Sequence, residues 1–373
     1  MDTQRPSHHI PTLDGWRAIA IAAVIACHGL SLTAAANLRH PLFGTIVLSL
    51  GQQGVSLFFA ISGFLITTLL LDELSSRGSI SLRGFYIRRV FRILPPAYTY
   101  LFITAVFGLM GWIKLAHGEI ASGLFVYNNY WPHRSWYTQH FWSLSMEEHF
   151  YLFWPALLAL LGLARARWAA VALVVATVMW RPWSLAHIHW QVPQLQRTDM
   201  RLDAFLLACL LAILIHGDAG KRIAVRIASV RFHAAIIAVL VAVYAVALLV
   251  PRLQLFRLLV QSAFLPLVVV PTVFLPGYWL SRWLETGFLR WVGRISYSLY
   301  LWQQMVLHGD AQDIPYALKT LPFKLIVLFA LGYASYRWIE LPMMQAGRRR
   351  AARFLAPPPA KPSLAPELAA GDS

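Results

Sequence analysis

In this chain of 373 residues, 58% are hydrophobic and 13% charged, whereas a soluble domain carries about 25% charged residues. The formal net charge of +16 raises nucleic acid as a partner. The basic residues lie between long apolar blocks, which excludes that class and marks a polytopic membrane protein embedded in a lipid bilayer.

Residues 1–12 are polar and read as a cytoplasmic N-terminal segment. The apolar run after them has no small-residue cleavage site, so the first helix is expected to stay in the protein. The predicted fold is an all-α integral membrane bundle of about ten helices. They lie near 15–34, 50–71, 96–113, 142–163, 166–181, 202–216, 233–251, 256–276, 291–308 and 320–338. With the N-terminus inside, the inner loops hold Arg83, Arg88, Arg89, Arg92, Arg165 and Arg167, and far more Lys and Arg than the outer loops. The positive-inside bias therefore predicts a cytoplasmic (inner) membrane protein with both termini in the cytoplasm. The membrane domain spans 13–343, and 344–373 is a basic, then Pro/Ala-rich tail expected to be disordered. Neither an internal repeat nor a second soluble domain is expected.

The first helix carries Asp14, Arg17 and, eleven residues later, His28. At about 100° per residue, Arg17 and His28 return to within roughly 20° of each other, with an axial separation of about 16 Å. Asp14 lies within roughly 40° of the same stripe. Ionisable groups are costly inside a bilayer, so three on one face suggest function. The competing reading is an interfacial Asp and Arg with one buried His. Cys27 is turned away from His28, and with Cys209 it lies in an apolar run. Neither a disulfide framework nor a metal site is expected.

Further along, Phe85–Pro96 contains Arg88, Arg89 and Arg92. Arg89 and Arg92 share a helical face, and a guanidinium fork suits phosphate. A loop touching lipid headgroups is the alternative. The aromatic loop about 113–141, with Tyr127, Tyr130, Trp131 and Trp136, reads equally as a sugar-stacking surface or an interfacial belt. Trp142-Ser143-Leu144-Ser145-Met146-Glu147-Glu148-His149 brings carboxylates and an imidazole into a helix, for function or for an ion pair. In Arg197–Asp203, alternating charges suggest internal pairing, and Arg201 and Asp203 are candidate substrate contacts. The block 291–304, with Tyr297, reads mainly as inter-helix hydrogen bonding.

These blocks, in this order, resemble acyltransferase family 3, the integral membrane O-acyltransferases of the polysaccharide and lipopolysaccharide O-acetylase type. Seven collinear segments carry the resemblance over about residues 12–343. They are Leu13-Asp14-Gly15-x-Arg17 with His28, Gly54–Leu65, Arg88-Arg89-x-x-Arg92-Ile93-x-Pro95, Trp142–Glu147, Arg201-x-Asp203, Ile295–Trp302 and Glu340-Leu341-Pro342. The resemblance implies transfer of an acyl group, commonly acetyl, from cytoplasmic acyl-CoA (acetyl-CoA) to a hydroxyl. The acceptor is a glycan such as lipopolysaccharide or exopolysaccharide, or a small molecule such as a macrolide. Glycan-export machinery is a candidate partner.

By the same resemblance, Arg17 and His28 are required, and Arg89 and Arg92, with Arg88 beside them, are CoA-phosphate contacts. Here Ser56 stands where an acidic residue is common, and Gln303 where a His is common. We expect His28 to act as general base, Asp14 and Arg17 to position the donor, and Glu147 to orient the imidazole or bind acceptor hydroxyls. Arg201, Asp203, Trp142 and Tyr297 are expected around the acceptor. A proton-coupled transporter, testable by thioester chemistry without a gradient, and a non-catalytic partner in a glycan-export complex, which would not need Arg17 and His28, are the rival readings.

Overall fold

The computed structural model describes residues 10–34, 41–189, 191–217, 220, 222, 229–275, 277–308 and 320–354. Among these every regular element is helical: α1 Pro11–Ala34, α2 Pro41–Arg77, α3 Leu82–Leu109, α4 Glu119–Leu124, α5 Trp136–Gln139, α6 Phe141–His187 and α7 Asp203–Leu214. They continue with α8 Val230–Leu249, α9 Gln254–Phe274, α10 Trp279–Leu284, α11 Gly287–Val306, α12 Leu321–Ser335 and α13 Leu341–Ala352. The N-terminal segment before Ile10 and the Pro/Ala-rich tail after Phe354 lie outside the described residues, as do Arg39, Lys221, Arg226 and Lys319.

The fold is the expected all-α membrane bundle. Among the described residues, six helical stretches are long and apolar enough to cross a bilayer: Pro11–Leu30, Ile46–Arg77, Leu82–Leu109, Trp136–His187, Val230–Ala247 and Gln254–Phe274. The count of about ten spans is not confirmed. Spans predicted at 142–163 and 166–181 are the two halves of α6, broken at Gly162 with φ 70°. The 12 residues of α7 rise only about 18 Å, short of the roughly 30 Å hydrocarbon core. α11 carries Arg294, Ser296, Ser298, Gln303 and Gln304, too polar to stand as a span by composition alone. The helix α13 runs through the basic stretch to Ala352, with Gly347 set against Phe91 of α3.

At the centre, α1 is held between α2 and α11. A Cβ on Gly293 of α11 would fall 1.9 Å from the Asp14 carbonyl oxygen, and one on Gly54 of α2 would fall 2.5 Å from that of Ala20. Small residues let membrane helices approach backbone to backbone. These two contacts fix α1 in both rotation and height, and so fix where Arg17 and His28 emerge. Beside α1, Phe205 of α7 is stacked with Phe59 at 4.4 Å and Phe150 at 4.6 Å. Trp154 Nε1 donates to Thr67 Oγ1 at 2.9 Å.

Candidate functional site

Two regions hold the predicted residues, one near each end of α1. The first is a cavity of about 80 Å³ among α1, α2, α3, α6 and α11. One water needs roughly 10–15 Å³ of such space, so this is a slot for a narrow group. Arg17, Arg89, Arg92, Glu147 and Tyr297 all reach its wall, joined by Ser62, Ser143, Tyr151, Ser296 and Tyr300. Helical spacing explains the convergence, because Arg89 and Arg92 leave α3 on one face, as do Glu147 and Tyr151 on α6.

The three arginines are held differently. Arg17 Nη1 donates to Asp14 Oδ1 at 3.1 Å. The Arg89 guanidinium lies over the Tyr151 ring at 4.8 Å and the Phe85 ring at 5.6 Å. Among the described residues, neither Arg89 nor Arg92 makes a hydrogen bond or ion pair through its guanidinium. Both forks therefore remain free to donate to an oxyanion at the cavity wall. Arg88 faces elsewhere and pairs with Glu73 at 3.6 Å. Glu147 accepts from Ser62 Oγ and from the Tyr151 hydroxyl, both at 3.2 Å. Tyr297 donates to the Ile93 carbonyl at 2.8 Å.

His28 is not on this wall. Along α1 the stripe between Arg17 and His28 is filled by Ile21 and Val24, both buried. His28 lies under the 113–141 loop, edge-on to Trp136 at 5.3 Å. Its Nδ1 contacts Gln303 Oε1 at 2.5 Å. With the amide in this orientation, a carbonyl oxygen can only accept, so Nδ1 carries the proton and Nε2 keeps its lone pair. The residue that orients the imidazole is thus Gln303, and Glu147 makes its hydrogen bonds in the cavity. Gln303 entered the sequence reading only as a departure from a common pattern.

Sequence reasoning missed His140 and Gln304. His140 is buried, its Nδ1 is 3.0 Å from Gln304 Oε1, and its Nε2 has no partner among the described residues. Trp136 Nε1 donates to the Gln304 carbonyl at 2.8 Å. Adjacent glutamines of α11 thus hold two histidines from different parts of the chain. The Tyr300 ring lies 5.6 Å from His140, and its hydroxyl is 2.5 Å from Ser143 Oγ. Since Tyr300 and Ser143 also line the cavity, this layer joins the arginine-lined slot to the two imidazoles. The signal available in sequence was a His immediately before Phe141, outside the apolar block that drew attention.

Of the other candidates, Trp142 and Arg201 line a second cavity, described below. Arg201 donates to Ser56 Oγ at 2.7 Å, so both departures from the common pattern touch a predicted site residue. Asp203 is bonded by Arg181 Nη2 at 2.6 Å, a fully buried ion pair. Arg197 pairs with Asp199 at 2.6 Å, as the alternating charges suggested. In the aromatic loop, Tyr127 and Tyr130 are stacked at 5.3 Å, and the Tyr130 hydroxyl donates to Asp199 at 3.2 Å. Burial and the Asp199 carboxylate together push this loop phenol above its ordinary value. Among the described residues, no group of His, Cys, Asp and Glu could hold a metal ion.

Comparison with known proteins agrees with this picture. A family described as an acyltransferase domain matches residues 10–336. "Putative O-acetyltransferase" is the name of a Staphylococcus aureus (strain COL) protein 30% identical over 91% of this chain and 58% of its own length. The "Putative peptidoglycan O-acetyltransferase" of Bacillus subtilis (strain 168) is 30% identical over 94% of this chain and 57% of its own. The "Peptidoglycan O-acetyltransferase" of Listeria monocytogenes (strain EGD-e) is 27% identical over 92% and 57%. The chain therefore spans less than three fifths of the length of these relatives. No solved structure matches. The match across nearly all described helices, through both regions of the site, places this chain in the acyltransferase 3 family.

Proposed function

We propose that this chain is the membrane part of an O-acetyltransferase, moving an acetyl group from cytoplasmic acetyl-CoA to a hydroxyl of a cell-surface glycan. The observation that carries this reading is the pair of guanidinium forks, Arg89 and Arg92, without a hydrogen bond among the described residues, on the wall of a slot lined by Ser143 and Tyr300. The basic residues near that end support a cytoplasmic location for it by the positive-inside bias. Phosphates of CoA fit such forks, with Arg17 as a third guanidinium held by Asp14. A slot of about 80 Å³ suits the narrow pantetheine and thioester end, with the nucleotide outside it.

At the other end, Gln303 fixes the tautomer in which His28 Nε2 can take the proton of an acceptor hydroxyl. The thioester supplies the acyl carbon. As the new ester C–O bond forms and the C–S bond breaks, the proton held by His28 is available to the departing sulfur. The hydroxyls of Tyr300 and Ser143, paired with each other on the slot wall beside His140, are the neutral donors available to developing charge. The names of the relatives support O-acetylation and a glycan acceptor. The test is acetyl-CoA turnover by the purified chain in detergent with a soluble glycan, where no gradient exists. We expect CoA release that depends on Arg92. Absence of thioester turnover with every glycan offered, by a folded protein, would sink the proposal.

A further inference from the structure

The second cavity, of about 390 Å³, is walled by Gln52, Trp142, Gln194, Gln196 and Arg201. Arg201 is only 3% exposed, its side chain bonds Ser56, and its Nε is a buried donor with no partner among the described residues. Of the two carboxylates nearest in sequence, Asp203 is bonded by Arg181 and Asp199 by Arg197. A second buried arginine stands alongside: Arg257 donates to the Tyr244 hydroxyl and, at 3.2 Å, to Gln52 Oε1. Among the described residues, neither Arg201 nor Arg257 has a carboxylate within ion-pair distance. Asp203 attracts Arg201 but is bonded by Arg181, and both Arg181 and Arg257 oppose Arg201, so three buried guanidiniums share one carboxylate; burying charge without full compensation costs several kcal/mol. The arrangement is complete only when an anion enters.

We propose that this cavity binds a carboxylate-bearing sugar, with Arg201 as the recognition group and Arg257 behind it, through Gln52. A guanidinium fork matches a carboxylate, and the amides of Gln52, Gln194 and Gln196 match sugar hydroxyls. The Trp142 ring offers a face for the sugar ring. Within the proposed O-acetyltransferase reading, on which the word acceptor rests, the site selects an acidic acceptor glycan. The binding itself does not require that reading to hold.

The test is thermal unfolding and equilibrium binding of the purified chain with glucuronate, glucose, glycerol phosphate and inorganic phosphate at matched ionic strength. Glucuronate should raise the unfolding temperature, glucose should not, and Arg201→Gln should bind glucuronate roughly ten- to a hundredfold more weakly. Arg201→Lys keeps the charge without the fork and should fall between, which covers the case in which Arg201→Gln fails to fold. His28→Ala should bind glucuronate like the wild type, so loss of acetyl transfer and loss of this site are read separately. Equal binding of glucuronate by wild type and Arg201→Gln would overturn the proposal. Stabilisation by glycerol phosphate or phosphate without glucuronate would overturn it in favour of a lipid headgroup or free phosphate.

Discussion

Arg17 and His28 leave the same helix eleven residues apart, yet they meet different solutions to the cost of polarity in a membrane. Around Arg17 the groups are charged and only partly paired: Asp14 holds one guanidinium, and the forks of Arg89 and Arg92 are left open. Around His28 the partners are neutral: Gln303 bonds one imidazole, Gln304 another, and Trp136 closes over them. A charged, under-neutralised pocket is suited to hold an anion. A neutral layer keeps an imidazole uncharged and able to accept a proton. In the proposed function, that difference corresponds to donor binding at one end and proton transfer at the other.

The largest effect is expected outside both ends. Asp203→Ala strands Arg181, which is 2% exposed, without its carboxylate. Breaking such a pair costs about 3–5 kcal/mol, so thermal unfolding in detergent should show a large loss while KM for acetyl-CoA in the surviving protein stays unchanged. Next, Gly293→Ala places a Cβ against the Asp14 carbonyl and forces α1 from α11. Overpacking of this kind costs roughly 1–3 kcal/mol. Because α1 carries Arg17 and α11 carries Gln303, both KM and kcat should suffer. An unchanged kcat would show that the two ends are less tightly coupled through α1 than the packing suggests.

Smaller changes separate the ends. Arg92→Ala should raise KM for acetyl-CoA by about ten- to a hundredfold, the worth of a charge-assisted hydrogen bond, with little change in kcat. Gln303→Leu should do the reverse, lowering kcat by about tenfold through a freed imidazole while KM for acetyl-CoA stays put. Were Arg92→Ala to lower only kcat, the guanidinium would act at the reacting atoms and the division between the ends would fail.

Hydropathy was enough to find the helices, because long apolar runs leave the backbone little choice in lipid. It could not decide how many cross independently. α6 is apolar on both sides of Gly162, and only the positive φ there marks the break. Within the site, Arg17, Arg89, Arg92 and Glu147 were legible because charges stand out in apolar sequence, and the structure brings all four to one wall. The separation of His28 from them was not. A helical wheel reports angle, while Ile21 and Val24 fill the height between Arg17 and His28. Gln303, Gln304 and His140 were hidden for another reason: neutral side chains acquire meaning only from the helix packed opposite. Likewise, only the fold shows that Arg181 meets Asp203.

The most direct test compares base-labile O-acetyl groups on cell glycan, by proton NMR and mass spectrometry, in cells making the wild type or His28→Ala at equal membrane levels. Loss of the general base should reduce acetylation by about 10²–10⁴-fold, with the folded variant still binding acetyl-CoA. Acetylation by His28→Ala at the wild-type level would contradict the assignment of proton transfer to the imidazole layer.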